Sequence, residues 1–202
     1  MEKTNEKYGA YIQILREELI PAMGCTEPIA LAYAAAVARK TLGEMPDKVV
    51  VEASGSIIKN VKSVIVPNTG HLKGINAAAA AGIVAGDPDK KLEVIATVSQ
   101  EQIRQMKQFM EEVPIQVVHM EDGCTFDIIV TVFSGKSYAK VRIANFHTNI
   151  VLIEKNGEVL KSEAVSDDSE EGLTDRTLLD MEHIWDFAMT ADIDDVKALL
   201  DQ

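Results

Sequence analysis

Apolar positions in the first twenty residues recur at helical spacing, with Tyr8, Tyr11, Ile12, Leu15 and Leu19 on one face. Pro21 cannot continue that helix. After Gly24 an alanine-rich run from Ile29 to Leu42 reads as a second helix, ending at Gly43, a residue suited to a left-handed cap. The pattern then changes period: Lys48 to Ala53 and Val61 to Val66 are rich in β-branched residues and read as strands. A stretch dense in turn residues, Val66 to Gly74, leads into Ile75 to Ala85. That segment is small-residue throughout and closed by Gly86-Asp87-Pro88, which predicts a buried helix approached closely by its neighbours. Leu92 to Val98 fits a strand or a helix end equally well. Ser99 and Gln102 form a capping-box pattern ahead of the apolar face Ile103, Met106, Phe109 and Met110, predicting a helix from about residue 100 to 112.

Beyond Pro114 the period becomes two. Ile115–His119, Phe126–Phe133, Tyr138–Ile143, Ile150–Ile153 and Glu158–Lys161 alternate as strands, and Asn156-Gly157 is a type I′ hairpin signal between the last two. Successive strands joined this way predict an antiparallel sheet. The run Asp167 to Gly172 is acidic and rich in breakers, so it reads as a solvated linker. Leu178, Met181, Ile184, Trp185 and Ala188 make an apolar helical face after it, and Ile193, Val196, Leu199 and Leu200 make another. The expected fold is therefore α+β: an N-terminal helical pair, an antiparallel sheet of several strands with packed helices, and short C-terminal helices. Residues 1–165 form the α+β domain in this reading, with the linker and C-terminal helices occupying 166–202.

The chain has 202 residues, 47% hydrophobic and 26% charged, the composition of an ordinary globular protein with enough chain to bury a core. Thirty-two acidic against twenty basic residues give a formal charge of −12, which repels a phosphate backbone or an anionic membrane and argues against both as partners. The first residues lack an apolar signal core, and two cysteines are too few for a disulfide framework, so the expected compartment is the cytoplasm.

Candidate chemistry begins at Gly24-Cys25-Thr26-Glu27-Pro28. Thr26 reads as the N-cap of the second helix, and Cys25 sits where unpaired backbone N–H groups favour negative charge on sulfur. The alternative is a small apolar residue packed between two helices. His71 and Lys73, at the start of another helix, offer positive charge to a carboxylate, and His147-Thr148-Asn149 places three hydrogen-bonding side chains between two apolar strands, as a polar turn or as a ligand-binding cluster. Ser134-Gly135-Lys136-Ser137 lacks the upstream glycine of a phosphate loop and reads as a hairpin turn. Cys25, Cys124 and the four histidines show no metal-ligand spacing, so no metal site is expected within the chain.

Three segments together, Pro21-Ala22-Met23-Gly24-Cys25-Thr26-Glu27-Pro28-Ile29-Ala30, then Pro67-Asn68-Thr69-Gly70 with Lys73-Gly74-Ile75, then His147-Thr148-Asn149-Ile150, resemble the N-terminal half of the L-cysteine desulfidase family. That family is related to the α chain of bacterial iron–sulfur L-serine dehydratases. The resemblance implies a β-eliminating lyase that uses a [4Fe–4S] cluster, with one iron open to the substrate's leaving group as a Lewis acid, to convert L-cysteine to pyruvate, ammonia and sulfide or to dehydrate L-serine. It implies that Cys25 is catalytic, as base, proton donor or further ligand. It also implies a small amino-acid substrate held by Thr26, Glu27, Asn68, Thr69, Gly70, His71, Lys73, His147, Thr148 and Asn149. The cluster cysteines belong to a C-terminal half outside these residues, so this chain alone is expected to be inactive and free of cluster. In this reading 1–165 is the substrate-side domain and 166–202 the start of the cluster-binding helical domain. The missing C-terminal domain is then a partner, and the faces around Trp185 and Leu199 left uncovered predict a homodimer. The rival reading is a non-catalytic small amino-acid-binding or assembly domain.

Overall fold

A computed structural model describes residues 1–19, 21–22, 24–165 and 173–201. The chain divides into two units, Met1–Pro21 with Asp168–Gln202, and Ala22–Asp167. The fold is α+β, and no helix among the described residues is long and apolar enough to cross a membrane.

In the larger unit a six-stranded sheet has the order β2-β1-β3-β4-β5-β6, formed by β1 (Lys48–Ser54), β2 (Ile115–Met120), β3 (Asp127–Ser134), β4 (Ser137–Ala144), β5 (Ile150–Lys155) and β6 (Glu158–Ser162). Every pairing is antiparallel except β1 with β2, which run parallel, the crossover between them being made by the helices α3 (Gly55–Val61), α4 (Gly74–Ala85) and α5 (Gln100–Glu112). The alternation legible in the sequence selects the core face: Val49, Val51 and Ala53 of β1, Ile128, Val130 and Val132 of β3, and Ala139, Val141 and Ile143 of β4 are fully buried. The hairpin signal is realised, with Asn156 at φ 52° and Gly157 at φ 87°, both left-handed as a type I′ turn requires.

Helices α2 (Thr26–Leu42) and α4 (Gly74–Ala85) lie in this core, and α4 is buried without a break from Ala77 to Ile83. Alanine and glycine allow this, because two backbones can then approach more closely than larger side chains permit. A Cβ on Gly82 would lie 2.8 Å from the carbonyl carbon of Ala32 and 2.9 Å from its Cα, closer than real contacts allow. Helix α5 (Gln100–Glu112) carries the predicted capping box, with Gln102 N–H donating to Ser99 Oγ at 3.2 Å and Ser99 N–H to Gln102 Oε1 at 2.9 Å.

Two stretches depart from the sequence reading. Val61 to Val66 is not a strand: Ser54 caps a short helix, α3 (Gly55–Val61), whose Ile57 and Val61 are buried four residues apart. Tertiary burial of that helical face overrides β-branched propensity, and only an isolated bridge from Ile65 to Lys73 follows. Leu92 to Val98 is neither strand nor α-helix, since a 3-10 segment (Pro88–Glu93) leads into irregular chain that buries Leu92, Val94 and Ile95.

The smaller unit joins α1 (Glu6–Glu18) to α6 (Met181–Thr190) and α7 (Ile193–Leu200). Helix α1, grouped by the sequence reading with residues up to 165, thus packs with the C-terminal helices. Phe187 sits between Tyr8 and Tyr11, with ring centroids 5.3 and 5.4 Å away. Glu17 accepts from the Thr174 backbone and hydroxyl and pairs with Arg176, which holds its carboxyl down to about 2. The acidic linker Asp167–Gly172 lies outside the described residues.

Candidate functional site

The geometry at the start of α2 comes from Gly24. Its φ of 77° turns the chain left-handed, so that Cys25, extended at φ −65° and ψ 118°, becomes the N-cap in place of Thr26. Thr26 is instead the first helical residue, and its hydroxyl reaches Glu27 Oε2 at 3.5 Å. Pro28 costs nothing here, because the first N–H groups of a helix have no intrahelical partner. Cys25 makes no capping hydrogen bond and its thiol is exposed, so it is not a packing residue between helices.

The loop from Pro67 to Gly74 comes to this turn. A Cβ on Gly24 would stand 3.5 Å from Pro67 Cγ, which places the proline ring against the turn. Several polar side chains fix the loop's shape: Thr69, fully buried, donates to the Val66 carbonyl at 2.7 Å, and Asn68, at φ 58°, donates its amide to the Ile95 and Ala96 carbonyls, each at 3.0 Å. Gly70 packs against α5, where a Cβ would meet Ile103 at 3.2 Å. Asn68, Thr69 and Gly70 therefore build the loop, while His71 and Lys73 leave their side chains in solvent at the start of α4.

Glu27 is the third meeting point. Asn60, at the end of α3, donates to Glu27 Oε1 at 3.3 Å, and the Glu27 charge acts on the His147 imidazole. His147 is half-buried against Phe126, ring centroids 4.4 Å apart. Burial disfavours its imidazolium more than Glu27 favours it, so its pKa lies below the usual 6.5 and the ring is neutral at pH 7. Asn149 closes the 144–150 turn by donating to the Ala144 carbonyl at 3.0 Å, so of the predicted triplet His147 and Thr148 keep their side chains free of that task.

The structure thus gathers Gly24 to Glu27, Pro67 and His147, and adds two residues that the sequence reading missed. Asn60 carried no signal because it falls in the short connector between two stretches that read as strands. Phe126 was absorbed into a strand that begins one residue later. The arrangement offers an accessible nucleophilic sulfur, a carboxylate held at both oxygens and a neutral imidazole beside it: groups that can hold an ammonium, accept a proton and contact a small polar ligand.

Cys124 belongs to different surroundings. Its N–H donates to Asp127 Oδ2 at 3.2 Å, and the fully buried Asp127 carboxylate takes two bonds from Arg142, at 2.9 Å from Nε and 2.6 Å from Nη2. The second Gly-Cys-Thr triplet is therefore part of a structural ion pair. An iron–sulfur cubane needs three or four placed thiolates, and two cysteines in such different settings do not fit one. Among the described residues, no group of three or more His, Cys, Asp or Glu side chains is placed to hold a metal.

No family model matches the chain, and no solved structure matches it. It is similar to a UPF0597 protein of Desulfitobacterium hafniense, 54% identical over 202 residues, all of this chain and 47% of that protein. A UPF0597 protein of Treponema denticola is 43% identical over 201 residues, again 47% of its length, and one of Fusobacterium nucleatum 42% over 194 residues, 45% of its length. The chain spans about half the length of the curated relatives it matches.

Proposed function

We propose that this chain is the substrate-side portion of a cytoplasmic β-eliminating lyase acting on L-cysteine, with release of pyruvate, ammonia and sulfide after hydrolysis of the imine by water, or on L-serine by the equivalent loss of water. The observation that carries the reading is the meeting of the Gly24 to Glu27 turn with Pro67 and, through the Glu27 charge, with His147, with an exposed thiol at the N-cap of a buried helix.

In this assignment the Glu27 carboxylate, held by Asn60 and Thr26, takes the substrate ammonium, and His71 and Lys73 face its carboxylate. The neutral His147 ring accepts a hydrogen bond or a proton, Thr148 contributes a hydroxyl, and the Cys25 thiol contacts the reacting end. Asn68, Thr69, Gly70 and Asn149 act by fixing the loops. The residues here do not fit a [4Fe–4S] cluster, so the reading places its cysteines in the length that relatives carry outside the matched segment, and this chain alone turns nothing over.

The test is the intact polypeptide, reconstituted with iron and sulfide without oxygen and given L-cysteine and L-serine side by side. The expected result is pyruvate and ammonia from at least one, with stoichiometric sulfide from cysteine. Calorimetric binding of an amino acid by a cluster-loaded protein that forms no pyruvate would replace the lyase with the non-catalytic binding domain.

A further inference from the structure

Charge and apolar surface are both concentrated in the smaller unit. Met1–Pro21 with Asp168–Gln202 holds fifteen acidic and five basic residues, while Ala22–Asp167 holds seventeen and fifteen, so the helical unit carries −10 of the total −12. Between α1, α6 and α7 runs an apolar groove of about 450 Å³, lined by Ile14, Leu15, Ile184, Ala188, Ile193 and Val196 among others. Ile193 and Leu200 on its border are 68% and 67% exposed, and Met181, Trp185 and Met189 continue the apolar surface along α6. So much contiguous exposed hydrocarbon on a small helical unit marks a binding surface.

We propose that this groove receives an amphipathic helix with Lys or Arg along its flanks, contributed by the part of the polypeptide that relatives carry outside the residues matched here. Two observations select that occupant. The chain accounts for only 47% of the length of its relative, which carries more than this chain's own size in the same polypeptide, where covalent linkage gives a high effective concentration. The groove lies in a unit of charge −10, which attracts a basic helix and repels both a second copy of itself and an anionic lipid surface. Several acids already have partners within the unit: Asp186 pairs with the N-terminal ammonium, Asp192 and Asp195 with Lys3, and Asp180 with Lys7. Among the described acids on α6, on α7 and directly after it, Glu182, Asp194 and Asp201 have no ion pair and are free to meet a basic flank. Apolar side chains in the groove supply affinity, and the charges set partner and orientation. The inference does not depend on the lyase reading, and it replaces the homodimer expected from the uncovered helix faces.

The test places a photo-crosslinking phenylalanine derivative at position 193 of the intact polypeptide. The expected product is an intramolecular link to a Lys- or Arg-bearing helix outside the residues matched here. A covalent dimer, a link to a segment without basic residues, or no link overturns the proposal. A second measurement follows amide exchange across α7. Protection is expected to be at least about tenfold greater in the intact polypeptide than in the 202-residue chain, and to fall in the Ile193→Asp, Leu200→Asp double variant and at about 1 M salt, where the screening length shrinks to about 3 Å. Both side chains are mostly in solvent, so the same variant of the 202-residue chain keeps its wild-type melting temperature. Equal protection in the two proteins, or protection unmoved by salt, contradicts a basic helix in the groove.

Discussion

Replacing Gly82 by alanine isolates the close approach of α2 and α4 on which the larger unit's core is built. In an exposed helix the change stabilises by about 1 kcal/mol, since alanine is the better helix former. Here the new methyl would lie 2.8 Å from the carbonyl carbon and 2.9 Å from the Cα of Ala32, with the carbonyl oxygen closer still, and it faces backbone, which cannot rotate away. Restoring ordinary contact near 3.4 Å with the carbonyl oxygen requires the two helices to separate by more than about 1 Å, and a gap of even about 0.5–1 Å forfeits a quarter to a half of each van der Waals well along the interface. Overpacking of this kind costs about 1–3 kcal/mol, at the upper end where backbone is struck. Set against the propensity gain, the net loss is about 2 kcal/mol, or a fall of about 4–8 °C in Tm for a unit of this size. Thermal unfolding followed by circular dichroism measures it, with Gly9→Ala as the control: nothing lies within 4 Å of a Cβ there, so the usual helical gain is expected in α1. A Gly82→Ala chain that melts at or above the wild-type temperature refutes the close packing, and with it the rigid spacing of the helix starts that carry Cys25 and Lys73.

Other consequences follow from the charges. His147 has its pKa pushed below 6.5 by burial, so the unfolded chain takes up the proton first. Its contribution to stability is complete above pH 6.5 and is lost as the pH falls through the folded-state value, giving a urea midpoint that rises from pH 5 to 7 and a flatter profile in His147→Gln. Asp127→Ala strands a guanidinium whose side chain is only 28% exposed; the expected loss is about 3 kcal/mol, the low end for a broken buried pair because Arg142 retains some water, and equilibrium urea unfolding reads it.

Most of the architecture was legible because the sheet strands alternate in a period of two and β3 and β4 are joined by a tight turn, while Asn156-Gly157 fixes the last hairpin through φ values that few other residues tolerate. What escaped depended on long-range contact. Nothing local distinguishes Ile57 and Val61 as one face of a helix until Ser54 caps it and the core receives it, and the parallel partnership of β1 with β2 spans three helices. At the site, local signals found the residues that turn the chain, but roles were set by neighbours distant in sequence: Asn68 is engaged by Ile95 and Ala96, and Glu27 is met by Asn60. The grouping of α1 with α6 and α7 rests on Phe187 lying between Tyr8 and Tyr11, some 180 residues away in the chain, which no periodicity encodes.

The central proposal is that the exposed Cys25 thiol, at the N-cap of the helix that carries Glu27, takes part in the reaction. Its most direct test is sulfide release from L-cysteine by the intact, anaerobically reconstituted protein carrying Cys25→Ala, with cluster content measured in the same sample. The account predicts a fall in kcat of about 100-fold or more at unchanged cluster content. Wild-type turnover by that variant would contradict it.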